Sequence, residues 1–291
     1  MYRSRALEFP GIGDCMAPCI DMANHAGGDA TCAIYELDNN SDAVLLLRDN
    51  KSLRKGDEIT ISYGDAKGAC EMLFSYGFIE DLPDVEDART LFLDLQMMKA
   101  DPLAKAKATI AQTAPGVKIT STDNTILLDS DYVWLICTNE EDGLEFMVQR
   151  TTTGDEELKA FFQGRELSSA ADLKTCLSEE PLWDVFRLRV ASILQDRVAA
   201  QLQTLYGSDE DVAAVPHGEG TNVRSRVQDA ALRLRKLEAA LLEKAYAHLD
   251  EEKETLLRSD TVVAYLDAAA EAGGDEAPAE DRIDVEEEDF S

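Results

Sequence analysis

A chain of 291 residues, 45% of them hydrophobic, is long enough for one large domain or two ordinary ones and can bury a sizeable core. Its 58 acidic residues outweigh 28 basic ones, and a net charge of −30 argues against nucleic-acid binding and suits a basic protein partner. Six scattered cysteines without a C-x-x-C, beside only three histidines, argue against a zinc site and read as reduced thiols of an intracellular protein, cytoplasmic or nuclear. No apolar run follows Arg3 and Arg5 to make a signal peptide, and none is long enough to cross a bilayer, so no membrane partner is expected.

Residues 1–20 read as loop and short strand, punctuated by Pro10, Gly11, Gly13 and Pro18; the lone Gly11-Ile12-Gly13 reads as a turn. Residues 31–37 and 43–47 read as a hairpin, with turn chemistry at Asn39, Asn40, Ser41 and Asp42 between them. Residues 59–63 alternate as a half-buried strand between the turn signals Gly56-Asp57 and Gly64-Asp65. Residues 69–76 switch to helical spacing, which Gly77 stops. The acidic run 80–87, with Pro83, marks a domain boundary.

Beyond it, residues 90–95 read as a strand and 104–111 as a helix. Residues 125–128, 132–137 and 146–148 are β-like. From residue 156 the pattern is mostly helical. One helix, capped by Ser178, carries Phe186, Val190, Ile193, Val198 and Leu205 on one stripe and ends at Gly207. A loop spans 209–220. A second long helix, 222–257, carries Leu234, Leu237, Leu241, Ala245 and Leu249, a stripe that suits bundle packing or a coiled-coil dimer. From Glu271 about ten acidic residues stand against one arginine, the composition of a disordered tail.

The strand–turn–helix of residues 56–78 brings two phenols, Tyr63 and Tyr76, toward each other. By themselves they read as core-edge tyrosines or as groups working on a substrate. Three pieces give them a context: Arg3-Ser4-Arg5, the P-x-x-D-x-x-N-H run from Pro18 to His25, and Tyr63 to Phe78, where the strand ending in Tyr63 is followed by the Y-G-F closure Tyr76-Gly77-Phe78. In this order they resemble the C-terminal half of a SET domain. They are more similar to the subgroup that includes the Rubisco large-subunit methyltransferases and the ribosomal-protein lysine methyltransferases of fungi. The helical half is similar in position and pattern to the substrate-binding domain of that subgroup.

The resemblance implies an α+β chain with three parts. Residues 1–82 form the C-terminal part of a β-rich SET domain, 83–262 a mainly helical Rubisco LSMT-like substrate-binding domain, and 263–291 an acidic disordered tail. It implies an S-adenosylmethionine-dependent protein-lysine N-methyltransferase. Tyr63 is then the catalytic tyrosine, and Asn24 and His25 bind the cofactor through backbone groups and the Asn amide. Ser4, Arg5, Asp21 and Tyr76 line the lysine channel, with the Ser4 and Asp21 carbonyls facing the amine. The partner is a basic, lysine-containing protein, with no metal, nucleic acid or membrane.

The N-terminal half of the domain, with its Gly-rich cofactor loop, has no counterpart here, so exposed strand edges and apolar faces are expected. Where relatives carry S-N-x-E, this chain has Gly68-Ala69-Cys70-Glu71. Two other readings stand beside the enzyme: an inactive SET-derived module that holds a basic partner, and methylation of another side chain such as histidine.

Overall fold

The structure, a computed structural model, describes residues 4–64, 66–80, 87–122, 125–150, 155–216 and 224–273. The boundary run at 81–86 and the tail at 274–291 lie outside these residues, as do 217–223 and, in the motif above, Arg3.

The first 80 residues pair into two-stranded sheets. β1 (Leu7–Phe9) and β2 (Gly13–Cys15) form a hairpin whose turn places Gly11 and Gly13 at φ 79° and 83°, as the G-x-G reading required. β3 (Asn24–His25) is followed by the expected hairpin of β4 (Ala33–Leu37) and β5 (Ala43–Leu47). The strand expected over 59–63 shortens to β6 (Thr60–Ile61), because its parallel partner β3 has only two residues to offer it. Leu7, Phe9, Ile20, Ala33 and Ile61 bury a small core between these pieces. Ile34, Leu46, Leu47 and Ile59 are exposed, the apolar faces the sequence led us to expect.

α1 (Ala69–Tyr76) ends on Gly77, whose left-handed φ of 85° lets its N–H return to the Leu73 carbonyl. Two antiparallel three-stranded sheets follow: β7 (Thr90–Asp94), β8 (Gly116–Thr122) and β9 (Thr125–Asp129), then β10 (Leu144–Arg150), β11 (Glu156–Phe162) and β12 (Arg165–Leu167). α2 (Ala104–Ile110) precedes β8, and α3 (Tyr132–Cys137) lies between β9 and β10. The chain closes with α4 (Ala170–Ser178), α5 (Trp183–Gly207), α6 (Asp209–Ala213), α7 (Ser225–Leu256) and α8 (Asp260–Gly273). α5 packs along α7, so the long stripes of Phe186, Val198, Leu241, Ala245 and Leu249 meet in one core within the chain.

Five expectations are corrected. Residues 132–137 form helix α3 rather than a strand; all six side chains are buried, and a run that is apolar all round carries no period to separate the two. The stretch from 156 opens with strands β11 and β12. Ser178 ends α4 instead of capping the next helix, and the capping box belongs to Ser169 and Asp172. α6 occupies the start of the loop placed at 209–220, and α8 carries residues 263–273, which the domain division had put in the tail.

The two halves meet where α1 and β7 run onto α7. A Cβ at Gly68 would stand 2.0 Å from the Thr90 carbonyl oxygen, so this close passage requires the glycine that replaces the usual serine of S-N-x-E. The Ala88 N–H donates to the Leu237 carbonyl of α7 at 3.1 Å. The buried Asp87 carboxylate accepts from Lys244 Nζ at 2.7 Å, Ser121 Oγ at 2.8 Å and the Arg89 N–H at 2.8 Å. Burial works to raise its pKa, but the Lys244 ammonium and the two other donors outweigh it and hold the carboxyl below its ordinary value.

A depressed carboxyl stabilises the fold above its unfolded-state pKa of about 4 and loses that contribution as pH falls through the lower folded-state value. Urea midpoints of the protein and of Asp87→Asn should therefore differ most near neutrality and converge at acid pH. A gap that is independent of pH would contradict the assignment.

Candidate active site

Parallel pairing of β3 with β6 sets Asn24 opposite Thr60 and His25 opposite Ile61, so both strands end at one edge. Tyr63 lies two residues beyond the end of β6, and its N–H donates to His25 Nδ1 at 3.0 Å. Its hydroxyl donates to the Ala23 carbonyl at 2.8 Å. α1 then returns Tyr76, whose ring lies 4.6 Å from that of Tyr63 with the planes 37° apart. Phe78 closes the cluster, 5.9 Å from the His25 ring and 6.4 Å from that of Tyr76. These spacings are those of favourable aromatic pairs.

Ser4, Arg5, Asp21, Tyr63 and Tyr76 line one narrow cavity of about 40 Å³, and Ala23 and Tyr35 are among the other residues of its wall. Arg5 pairs with Asp21 at 3.5 Å. Cys19, at φ 75°, turns the chain sharply just before the short 3-10 helix that carries Asp21. Burial pushes the Tyr63 phenol up, the neighbouring Tyr76 adds to this, and Arg5 opposes it in part. Tyr63 therefore stays a hydroxyl at neutral pH and acts as a hydrogen-bond donor. The carbonyl it meets is that of Ala23, in the segment just before Asn24.

Asn24 and His25 stand beside this cavity rather than in its wall. The His25 side chain is only 2% exposed, and both ring nitrogens are engaged, Nδ1 by the Tyr63 N–H and Nε2 by Glu80. The imidazole thus has no free edge for a ligand, and any contact made by this segment falls to its backbone and to Asn24. The Asn24 side chain is exposed and donates to Glu58. An exposed amide beside an exposed carboxylate, next to the cavity, is a donor set suited to hydroxyl, amine and purine groups of a nucleoside-bearing cofactor.

Sequence reading missed Glu58, Glu80 and the Ala23 carbonyl, since no spacing signal links Glu80 to a histidine in a separate strand. Among the described residues, no group of three or more His, Cys, Asp and Glu is placed to hold a metal ion, and no helix is long and apolar enough to cross a membrane.

No protein-family model matches the chain. A curated relative, SET domain-containing protein 8 of Schizosaccharomyces pombe, is 26% identical over 268 residues, which is 91% of this chain and 58% of that protein. Cytochrome c lysine N-methyltransferase 1 of Saccharomyces cerevisiae is 35% identical over 92 residues, 27% of this chain and 16% of that protein. The solved structure of Rubisco LSMT bound to AdoMet superposes with a TM-score of 0.53 at 18% identity, covering 95% of this chain and 58% of that one.

The chain resembles SET-domain proteins and has the Rubisco LSMT fold. It is an α+β chain, as the motifs implied. It spans rather more than half the length of the S. pombe relative, 58%.

Proposed function

We propose that the chain is a protein-lysine N-methyltransferase using S-adenosylmethionine (AdoMet), with residues 1–82 as the C-terminal part of a SET domain and 83–262 as the substrate-binding domain. Tyr63 is its catalytic tyrosine. Asn24 and His25 hold AdoMet, the first by its amide and both by backbone groups. Ser4, Arg5, Asp21 and Tyr76 line the lysine channel. The substrate is an intracellular protein, basic where it meets this acidic chain.

The observation that carries the reading is convergence: five residues picked from separate sequence motifs line one narrow cavity. The names of the two curated relatives and the fold of Rubisco LSMT support it from outside.

AdoMet supplies an electrophilic methyl group, so the chain's task is to align the amine with it and to favour the amine's neutral form. A lysine amine, with a free pKa of about 10.4, must enter neutral, and a narrow cavity walled by Tyr35, Tyr63 and Tyr76 disfavours the ammonium by desolvation. The Tyr63 hydroxyl, kept protonated, orients the Ala23 carbonyl at the cavity wall. Carbonyl oxygens there accept weak C–H contacts from a bound methyl group, each worth under about 1 kcal/mol.

Calorimetric titration with AdoMet tests the cofactor half of this reading. Binding in the micromolar range, weakened by Asn24→Ala, is expected. A titration that shows no saturable binding contradicts it.

A further inference from the structure

We infer that Glu80 is a positioning residue: it locks His25 in the tautomer that grips Tyr63, and the helical half, through Arg233, holds Glu80 in place. The inference deepens the methyltransferase reading and rests on it for the meaning of Tyr63.

A backbone N–H can only donate, so the contact from Tyr63 N–H at 3.0 Å makes His25 Nδ1 the acceptor. The neutral ring then carries its proton on Nε2, which donates to Glu80 Oε1. The orientation of one imidazole thus sets the backbone position of Tyr63, and the carboxylate on its far side sets the orientation. Glu80 is itself constrained on three sides. Its Oε2 lies 3.5 Å from the Arg89 guanidinium. Its carbonyl accepts from Arg233 Nη2 of α7 at 2.8 Å. Buried Gly27 leaves the carboxylate room, since a Cβ there would stand 2.5 Å from Glu80 Oε1. Glu80 is only 16% exposed, so its pairing with the buried imidazole is poorly replaced by water.

The path runs Arg233, Glu80, His25, Tyr63. It passes from the helical half to the cavity wall, and it gives α7 a part in the site that its apolar stripe does not suggest.

Long-range proton–nitrogen spectra of the imidazoles in the full ¹⁵N-labelled chain test this without cofactor or substrate. His25→Gln assigns the His25 signals among the three histidines. The unaltered protein should show His25 with a bare Nδ1 and a protonated Nε2 at neutral pH. Glu80→Ala should lose that pattern, Glu80→Gln should keep it because an amide oxygen still accepts from Nε2–H, and Arg233→Ala should shift the same signals. A His25 pattern untouched by Glu80→Ala, or an unaltered protein with the proton on Nδ1, overturns the inference.

Calorimetry separates this from the parent reading. AdoMet affinity that falls about tenfold in Glu80→Ala but not in Glu80→Gln supports both. An unaltered chain that binds no AdoMet yet shows the nitrogen pattern and its loss in Glu80→Ala counts against the methyltransferase reading alone.

Discussion

Tyr63→Phe should slow the proposed methyl transfer by about a hundredfold while AdoMet affinity stays nearly unchanged, because the loss is one of alignment rather than of binding. The phenylalanine keeps the ring against Tyr76 and the N–H to His25, and removes only the hydroxyl that meets the Ala23 carbonyl. The effect should therefore appear in kcat rather than in the melting temperature. Single-turnover rates with labelled AdoMet measure it. An unchanged rate takes Tyr63 out of the catalytic role even if the fold and the cofactor assignment stand.

The largest effect on stability is expected at Lys107→Met, far from the cavity. Lys107 is fully buried, and its ammonium lies 2.6 Å from Asp101 Oδ2, whose side chain is 4% exposed, and 3.3 Å from Asn139 Oδ1. Asp101 also accepts from the Leu103 N–H at 2.8 Å at the start of α2. Removing the lysine strands a buried carboxylate, a change that costs about 3–5 kcal/mol. Replacing both partners by apolar residues should recover most of the loss, since a well-packed apolar pair needs no desolvation of charge. Urea unfolding of Lys107→Met and of the double variant measures this. A Lys107→Met protein as stable as the parent would show that the pair is solvated in the folded chain.

Turn chemistry and period were the legible part of this chain. Gly11-x-Gly13, the hairpin turn before β5 and the stop at Gly77 each need a backbone that few other residues adopt, and each falls where the sequence placed it. The amphipathic stripes of α5 and α7 were legible for a similar reason: burial of one face leaves a period in the chain. α3 was not, because burial on every side erases the period, and β11 and β12 were lost among charged residues that read as helix. At the site, the motifs supplied five of the residues that line the cavity, Ser4, Arg5, Asp21, Tyr63 and Tyr76. They did not supply Glu80, since a carboxylate acquires its meaning only from the histidine it faces. They also flagged Gly68 as a departure without the reason, which is the passage of the Thr90 carbonyl.

The central claim is that this cavity presents a lysine amine to a methyl donor. The most direct test is to incubate the purified chain with methyl-labelled AdoMet and cell protein, then locate the label by mass spectrometry. The account predicts label on lysine side chains of a protein substrate, and its loss when Tyr63→Phe is used. Label carried on histidine instead, or no transfer from a chain that binds AdoMet, would contradict it.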